Sequence, residues 1–399
     1  MLCFADAGRE VGMRRGMMAV GALLLGTACA AQVSDQEIKR FALAFMNYYP
    51  QSTARLTDKM QGTTPAGPYV TVQVDRVAAN GDAKDHVGLL LDPAIRTVAA
   101  GLVFPMPPTE PPVTPATLPQ FVEQVLPEAL GNYLGTRVRV PWPMTPVRPG
   151  PVLFLTAQVT TGYGTMNMPL ALSSDGKYVA LGASWPLDRD PRSVRREALE
   201  NAYIQWDPGH EKAILKVVEF SDFECPACKR GWGEVKPVMA EFGDKLRHGM
   251  VNWPIVSAHP WAFRAAVAGE CIGSLWPARL LDLKEEFYRL QGNLSFESVD
   301  PTVFGFLAEY NLDKDRFLAC YLKDPAIDTV LRQMELGYRM GVFGTPTYYA
   351  NGESLPWSDP EIFRKRLQAI LAAGGRPEAA ADVVVGPKTT PSAGSPSKH

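Results

Sequence analysis

Cys225 and Cys228, separated by Pro226-Ala227, sit where one sequence pattern hands over to another. Upstream, Ala213 to Phe220 (Ala-Ile-Leu-Lys-Val-Val-Glu-Phe) is a mostly apolar run with the length of a buried strand. Downstream, Pro226 to Phe242 is compatible with a helix. A strand that feeds a helix in this way places two thiols on the helix's first turn. There the unpaired backbone N–H groups and the macrodipole favour the thiolate of the first cysteine. Thiols at this spacing close a small disulfide ring, with pKa values from about 7 down to about 3.5. Tetrahedral zinc needs two more ligands. Cys271 and Cys320 lack that spacing, and none of the five histidines lies beside the motif. The expectation is a redox-active Cys225–Cys228 pair with no cofactor and no metal; a purely structural disulfide is the alternative.

The other cysteines bear on the compartment. Arg14 and Arg15 precede Gly16 to Ala31, a run without charge, and its centre Leu23-Leu24-Leu25 leads into Ala28-Cys29-Ala30-Ala31. This is short for a spanning helix and has the order of a secretory signal over 1–31, cut near Ala30 or Ala31. An uncleaved anchor and a lipoprotein acylated on Cys29 are the alternatives, the latter opposed by Gly26 where such signals usually carry Leu. Asp6 and Glu10 are unusual in a basic leader, so Met13 or Met17 is a candidate start. Cleavage would remove Cys3 and Cys29 and leave four cysteines in an oxidising compartment, expected to be the periplasm.

Net charge bears on one class of partner. Forty Lys and Arg stand against 42 Asp and Glu, a net −2, so no nucleic-acid partner is expected, with local basic patches left as the alternative. The 399 residues predict two or three domains. Residues 32–200 read as an α+β domain without a catalytic constellation. Ser34-Asp35-Gln36-Glu37 has capping-box form, and Ile38, Phe41, Ala42, Phe45 and Tyr49 follow at helical spacing until Pro50. Strands are expected at Tyr69–Asp75, Val87–Leu91, Val98–Phe104, Leu153–Val159, Met168–Leu172 and Lys177–Ala183. Seven prolines between Pro105 and Pro119 favour an extended connector, and Phe121–Leu134 a short helix.

A helical connector around Arg192–Tyr203 leads into a second domain over 201–375. Leu246–Trp253 is a strand candidate, and the helix-prone stretch Pro260–Met340 follows. Tyr348–Ala350 precedes an Asn351-Gly352 turn, and Glu361–Leu371 is an amphipathic helix. Residues 376–399 read as a disordered tail.

The stretch Val217-Val218-Glu219-Phe220-Ser221-Asp222-Phe223-Glu224-Cys225-Pro226-Ala227-Cys228 resembles the active-site strand and helix of the DsbA-like branch of the thioredoxin superfamily. Gly344-Thr345-Pro346-Thr347 resembles that branch's cis-proline loop, and His259-Pro260 opens a block where the branch inserts helices. The resemblance covers about 205–372. It implies an α/β thioredoxin fold with an inserted helical subdomain at about 260–340, beside the α+β N-terminal domain. It implies thiol:disulfide oxidoreductase activity, with Cys225 forming mixed disulfides, Cys228 resolving them, and Pro226, Ala227 and Phe223 as neighbours. It casts Glu219 as a buried acid relaying a proton from Cys228, and Pro346 as holding Thr345 where its backbone pairs with a client strand. Cys271 and Cys320 look similar to a second, structural disulfide in some relatives; two buried free thiols are the alternative. His259 reads as a helix-start or packing residue, and Trp232, Trp253 and Trp276 as core.

Pro-Ala between the cysteines lacks the imidazole of DsbA's Pro-His, which predicts a weaker oxidant and leaves isomerase or reductase activity open. Ser174 to Gly182 faintly resembles the segment before the catalytic domain of DsbC and DsbG isomerases, which implies a client-binding or homodimerising N-terminal domain. The partners so implied are exported cysteine-containing clients and a DsbB- or DsbD-like membrane redox partner. A redox-inert client-binding or chaperone module is the reading from a different class.

Overall fold

The computed structural model describes residues 33–142 and 150–383; the expected leader, with Cys3 and Cys29, lies outside them. Ser34 caps α1 (Asp35–Phe45) in a complete capping box with Glu37. The helix ends at Phe45 rather than running to Pro50, because tertiary bonds take over. The Tyr48 N–H pairs with the Ser354 carbonyl at 2.7 Å, and the buried Arg76 guanidinium bonds the Leu43 carbonyl in the last turn.

Among the described residues nine antiparallel strands follow: β1 (Thr53–Thr64), β2 (Gly67–Val77), β3 (Ala83–Asp92), β4 (Thr97–Pro105), β5 (Arg137–Arg139), β6 (Val152–Thr161), β7 (Gly164–Ser173), β8 (Tyr178–Leu181) and β9 (Ser184–Pro186). They pair in the order β1-β2-β3-β4-β8-β7-β6-β5, with β9 also on β4. Each expected strand is present. The edge strand β1 is not among the expected strands: Ala54 and Leu56 alternate and pack on the core, but Asp58 breaks the alternation after two positions. Between β4 and β5 the chain forms α2 (Leu118–Gln120), a π turn at Phe121–Val125 and α3 (Leu126–Leu134). Helix α1 covers one face of β2–β4 through Ile38, Phe41 and Phe45.

After α4 (Pro191–Glu200) comes a second sheet: β10 (Gln205–Trp206), β11 (Leu215–Ser221), β12 (Leu246–Asn252), β13 (Thr347–Ala350) and β14 (Glu353–Leu355). Its order is β10-β12-β11-β13-β14, with β11 parallel to β12 and antiparallel to β13. Helix α5 (Pro226–Ala240) links β11 to β12. The insertion between β12 and β13 holds α6 (Ala262–Leu275), α7 (Leu280–Leu290), α8 (Val299–Glu309), α9 (Lys314–Tyr321) and α10 (Asp324–Met340), and α11 (Pro360–Ala372) closes the domain. The expected α+β half and α/β thioredoxin half with inserted helices are both present. One apolar cluster runs through both, from Met166 and Met168 on β7 to Leu331 and Met334 on α10. Tyr163 at the β6–β7 turn stacks on Phe263 of α6 at 4.0 Å.

The tail expectation needs correction over 376–383. Arg366, 2% exposed, donates to the carbonyls of Pro377 and Ala381 at 2.9 and 2.8 Å, and Glu378 pairs with Arg196 at 2.9 Å. Alanine- and proline-rich sequence carries no periodicity, but its backbone carbonyls satisfy a buried guanidinium. Residues 384–399 lie outside the described part.

Candidate active site

Strand β11 is buried along nearly its whole length, and the chain leaves it at Ser221. The turn Asp222–Glu224 is pinned from three sides. Asp222 accepts from the backbone N–H of Glu224 and of Ile255, both at 2.8 Å, and from His259 Nδ1 at 2.6 Å. Glu224 accepts from the Trp261 N–H at 2.7 Å. Gln291, just past α7, donates to the carbonyls of Phe223 and Cys225 at 2.9 and 3.1 Å. Phe223 is fully buried against Phe287, ring centroids 5.1 Å apart. The inserted helices thus hold the turn that presents the cysteines.

Cys225 is the N-cap of α5, with exposed Pro226 and half-buried Ala227 after it in the first turn. Both cysteines are free thiols. Cys225 is 5% exposed and Cys228 is closed off, so the first thiol is the more accessible but only narrowly. The thiols divide their acidities. A hydrogen bond from Cys228 brings Cys225 down to about 5 against the opposing effect of burial, with help from Thr345 and the N–H groups of Cys228 and Ala227. Burial and the neighbouring Cys225 push Cys228 well above the ordinary thiol range. The Asp222 N–H meets Cys228 Sγ at 3.4 Å.

The Thr345–Pro346 bond is cis, and the Thr345 carbonyl lies 3.5 Å from Cys225 Sγ, 120 positions away in sequence. Pro346 packs on α5 at Gly231, where a Cβ would come within 2.9 Å of the proline ring.

Glu219 is 0% exposed, on β11 opposite Tyr348 of β13. Lys284 of α7, equally buried, reaches its Oε2 at 2.6 Å, and His248 Nε2 on β12 approaches the same oxygen at 3.1 Å. Burial alone would raise the Glu219 carboxyl, but Lys284 and His248 override it and hold it at about 2. Both contacts use Oε2, and Oε1 is buried without a hydrogen-bond partner, which leaves one carboxylate oxygen for the expected relay. The negative charge of Glu219 also helps keep Cys228 protonated.

Sequence reasoning missed Lys284, His248 and Gln291. A signal for Lys284 existed: it shares the helical stripe of Leu280, Leu283, Phe287 and Tyr288, where an apolar residue belongs. Its ammonium stands 3.8 Å from the centre of the Trp232 ring. His259 lies in the loop three residues before α6, whose N-cap is Trp261, and its imidazole is held by Asp222. The Asp222 hydrogen bond, followed by the charges of Asp222 and Cys225, raises its pKa. Cys271 of α6 and Cys320 of α9 form a disulfide. Trp232 and Trp253 are core, at 5% and 6% exposure, while Trp276 is half-buried.

A central strand flanked by one parallel and one antiparallel neighbour, a thiol pair at the following helix and a proline loop across from it define this half. Residues 205–369 match the family model described as Thioredoxin. They form a domain with the thioredoxin fold. Its inserted helices are those implied by the DsbA-like resemblance over 205–372. The chain is similar to a Na(+)/H(+) antiporter NhaA from Herminiimonas arsenicoxydans, 33% identical over 168 residues, which is 42% of this chain and 25% of that protein. An NhaA 1 from Mycobacterium sp. (strain KMS) is 27% identical over 183 residues, 43% of this chain and 27% of that one. The chain therefore spans about a quarter of the length of these relatives, and the similarity falls in the thioredoxin domain. Among solved structures, Wolbachia pipientis alpha-DsbA1 aligns with 45% of this chain and 97% of its own, at 14% identity and TM-score 0.40. BdbD from Bacillus subtilis aligns with 42% of this chain and 93% of its own, at 22% identity and TM-score 0.38.

Proposed function

We propose that this protein is an exported thiol:disulfide oxidoreductase that exchanges disulfides with cysteines of client proteins. One observation carries the reading: Cys225 caps α5 with its sulfur 3.5 Å from the Thr345 carbonyl, while Cys228 is sealed behind it. In the oxidised enzyme, a client thiolate attacks Cys225 Sγ. The bond to Cys228 breaks, Cys228 leaves and takes up a proton, and Cys225 carries the client as a mixed disulfide. A second client thiolate attacks the client's sulfur and expels the Cys225 thiolate. Two client thiols become one disulfide, and the enzyme pair takes up the two electrons.

A thiolate stabilised near pH 5 is a good leaving group, so the reduced enzyme is the favoured product and oxidation of clients the favoured direction. His259, held by Asp222, supplies an imidazole near Cys225 although the intervening dipeptide has none. Glu219 acts as a positioning residue through its charge. A membrane oxidant of the DsbB kind would take the two electrons and reset the pair in the periplasm, whereas a DsbD-like reductant belongs with the isomerase or reductase reading.

The test is the reduction potential of Cys225–Cys228 in a glutathione series. An oxidant lies towards DsbA, about −120 mV, and a value near thioredoxin, about −270 mV, would overturn the direction assigned. A pair that does not equilibrate with glutathione at all would remove the enzymatic reading.

A further inference from the structure

A cleft of about 420 Å³ opens beside the Thr345–Pro346 loop, and the thioredoxin domain supplies only part of it. Phe343, Pro346 and Thr347 line one side; His86 of β3 with Gly101 and Leu102 of β4 line the other. Phe343 and Leu102 are 38% and 39% exposed. A single exposed leucine needs no explanation. Two large apolar side chains lining one cleft, next to the loop that touches a reactive thiol, do.

The two sides are fixed relative to each other. A Cβ at Gly101 would fall 2.6 Å from the end of the Phe343 ring and 2.0 Å from the Leu181 carbonyl oxygen, so glycine lets the ring lie against β4. Arg195 of α4, 1% exposed at the floor, stacks on Phe45 at 4.4 Å and Tyr349 at 4.8 Å and donates to the Met340 carbonyl at 3.0 Å. It thereby ties α1 to β13. A groove held this rigidly loses little ordering entropy when it is filled.

Its reach from the chemistry follows from chain geometry. Phe343 lies two residues before Thr345, hence within about 7.6 Å between Cα atoms. A client strand passing Thr345 advances about 3.3 Å per residue, so a residue two or three positions from its cysteine arrives over the cleft. Such strand addition uses main-chain bonds for affinity and pockets for alternate side chains for selection.

We propose that the N-terminal sheet forms half of the client groove, and that Leu102 and Phe343 accept an apolar side chain two or three residues from the client's reactive cysteine. The proposal rests on the thiol-exchange reading above and gives it a substrate class: extended segments with an apolar residue close to the cysteine.

The experiment compares the full chain with Leu102→Arg, Leu102→Ser and Phe343→Ala. Each reacts with a cysteine peptide carrying leucines at those flanking positions, with the same peptide carrying serines, and with glutathione, which is too small to fill the cleft. The unsubstituted protein should prefer the leucine peptide by roughly tenfold in kcat/KM. Leu102→Arg and Phe343→Ala should lose most of that preference, Leu102→Ser part of it, and all should keep their rates with glutathione. Equal rates with both peptides in the unsubstituted protein, or a preference that survives Leu102→Arg and Phe343→Ala, overturns the proposal. Failure to react even with glutathione overturns the exchange reading itself, an outcome distinct from lost preference.

Discussion

The two cysteine pairs of the described residues occupy opposite electrostatic settings. Cys225 and Cys228 sit on the first turn of α5, where N–H groups have no partner within the helix and point at sulfur. Cys271 and Cys320 lie inside α6 and α9, where backbone N–H groups are spent on the helix, and they are joined across 49 positions. The first pair gains a stabilised thiolate and an opening beside Thr345. The second gains neither and links two inserted helices. Position on a helix, more than the element sulfur, separates reactive from structural cysteine.

The sharpest way to break this contrast is to remove sulfur from each pair. Cys225→Ser should abolish exchange with peptides and glutathione, while Cys228→Ser should accumulate mixed disulfides, seen by mass spectrometry of non-reduced samples. Exchange surviving in Cys225→Ser would show that the contrast is misdrawn. The next largest effect should come from Glu219→Gln, which leaves the buried Lys284 ammonium without its counter-charge. Breaking such a pair costs about 3–5 kcal/mol, readable by denaturant unfolding, and Glu219→Gln with Lys284→Met together should recover part of it. Replacing Cys271 and Cys320 by alanine should cost about 2–4 kcal/mol and leave the glutathione rate unchanged.

The thiolate adds a pH signature confined to the first pair. The Cys225 pKa is depressed in the folded reduced protein, to about 5, from about 8.5 in an unfolded chain. Its contribution to stability is therefore fully present above about pH 8.5 and is lost as pH falls through about 5. Unfolding of the reduced form, relative to the oxidised form that lacks this thiolate, should show that loss. A flat difference between the two forms over that window would count against the depressed pKa. The smallest effect is expected from Thr345→Val, which removes a hydroxyl that lowers the Cys225 pKa. An upward shift in the ultraviolet thiolate titration is the expected result.

Much of the thioredoxin-fold half was legible because its signals are local. A buried strand, two thiols and a helix occupy consecutive residues, and a loop of recognisable composition lies downstream. The edge strand β1 was not legible, because its apolar alternation stops after Ala54 and Leu56 and the rest of Thr53–Thr64 takes its conformation from pairing with β2. The docked segment 376–383 escaped notice because its partner, Arg366, uses backbone carbonyls that any sequence provides. Glu219 is legible as a buried acid, but not the charge it carries. The residue that sets it, Lys284, lies 65 positions away on an inserted helix.

By itself, the sequence determined the strand-to-helix handover at Cys225 and the first-turn placement of both thiols. These follow from periodicity and near-neighbour chemistry, which short segments carry intact. Tertiary structure alone decided that Thr345 meets Cys225, that Lys284 holds Glu219 ionised, and that β4 of the N-terminal sheet faces the proline loop. Those outcomes depend on which surfaces pack together, and burial and Coulomb interaction act through space rather than along the chain.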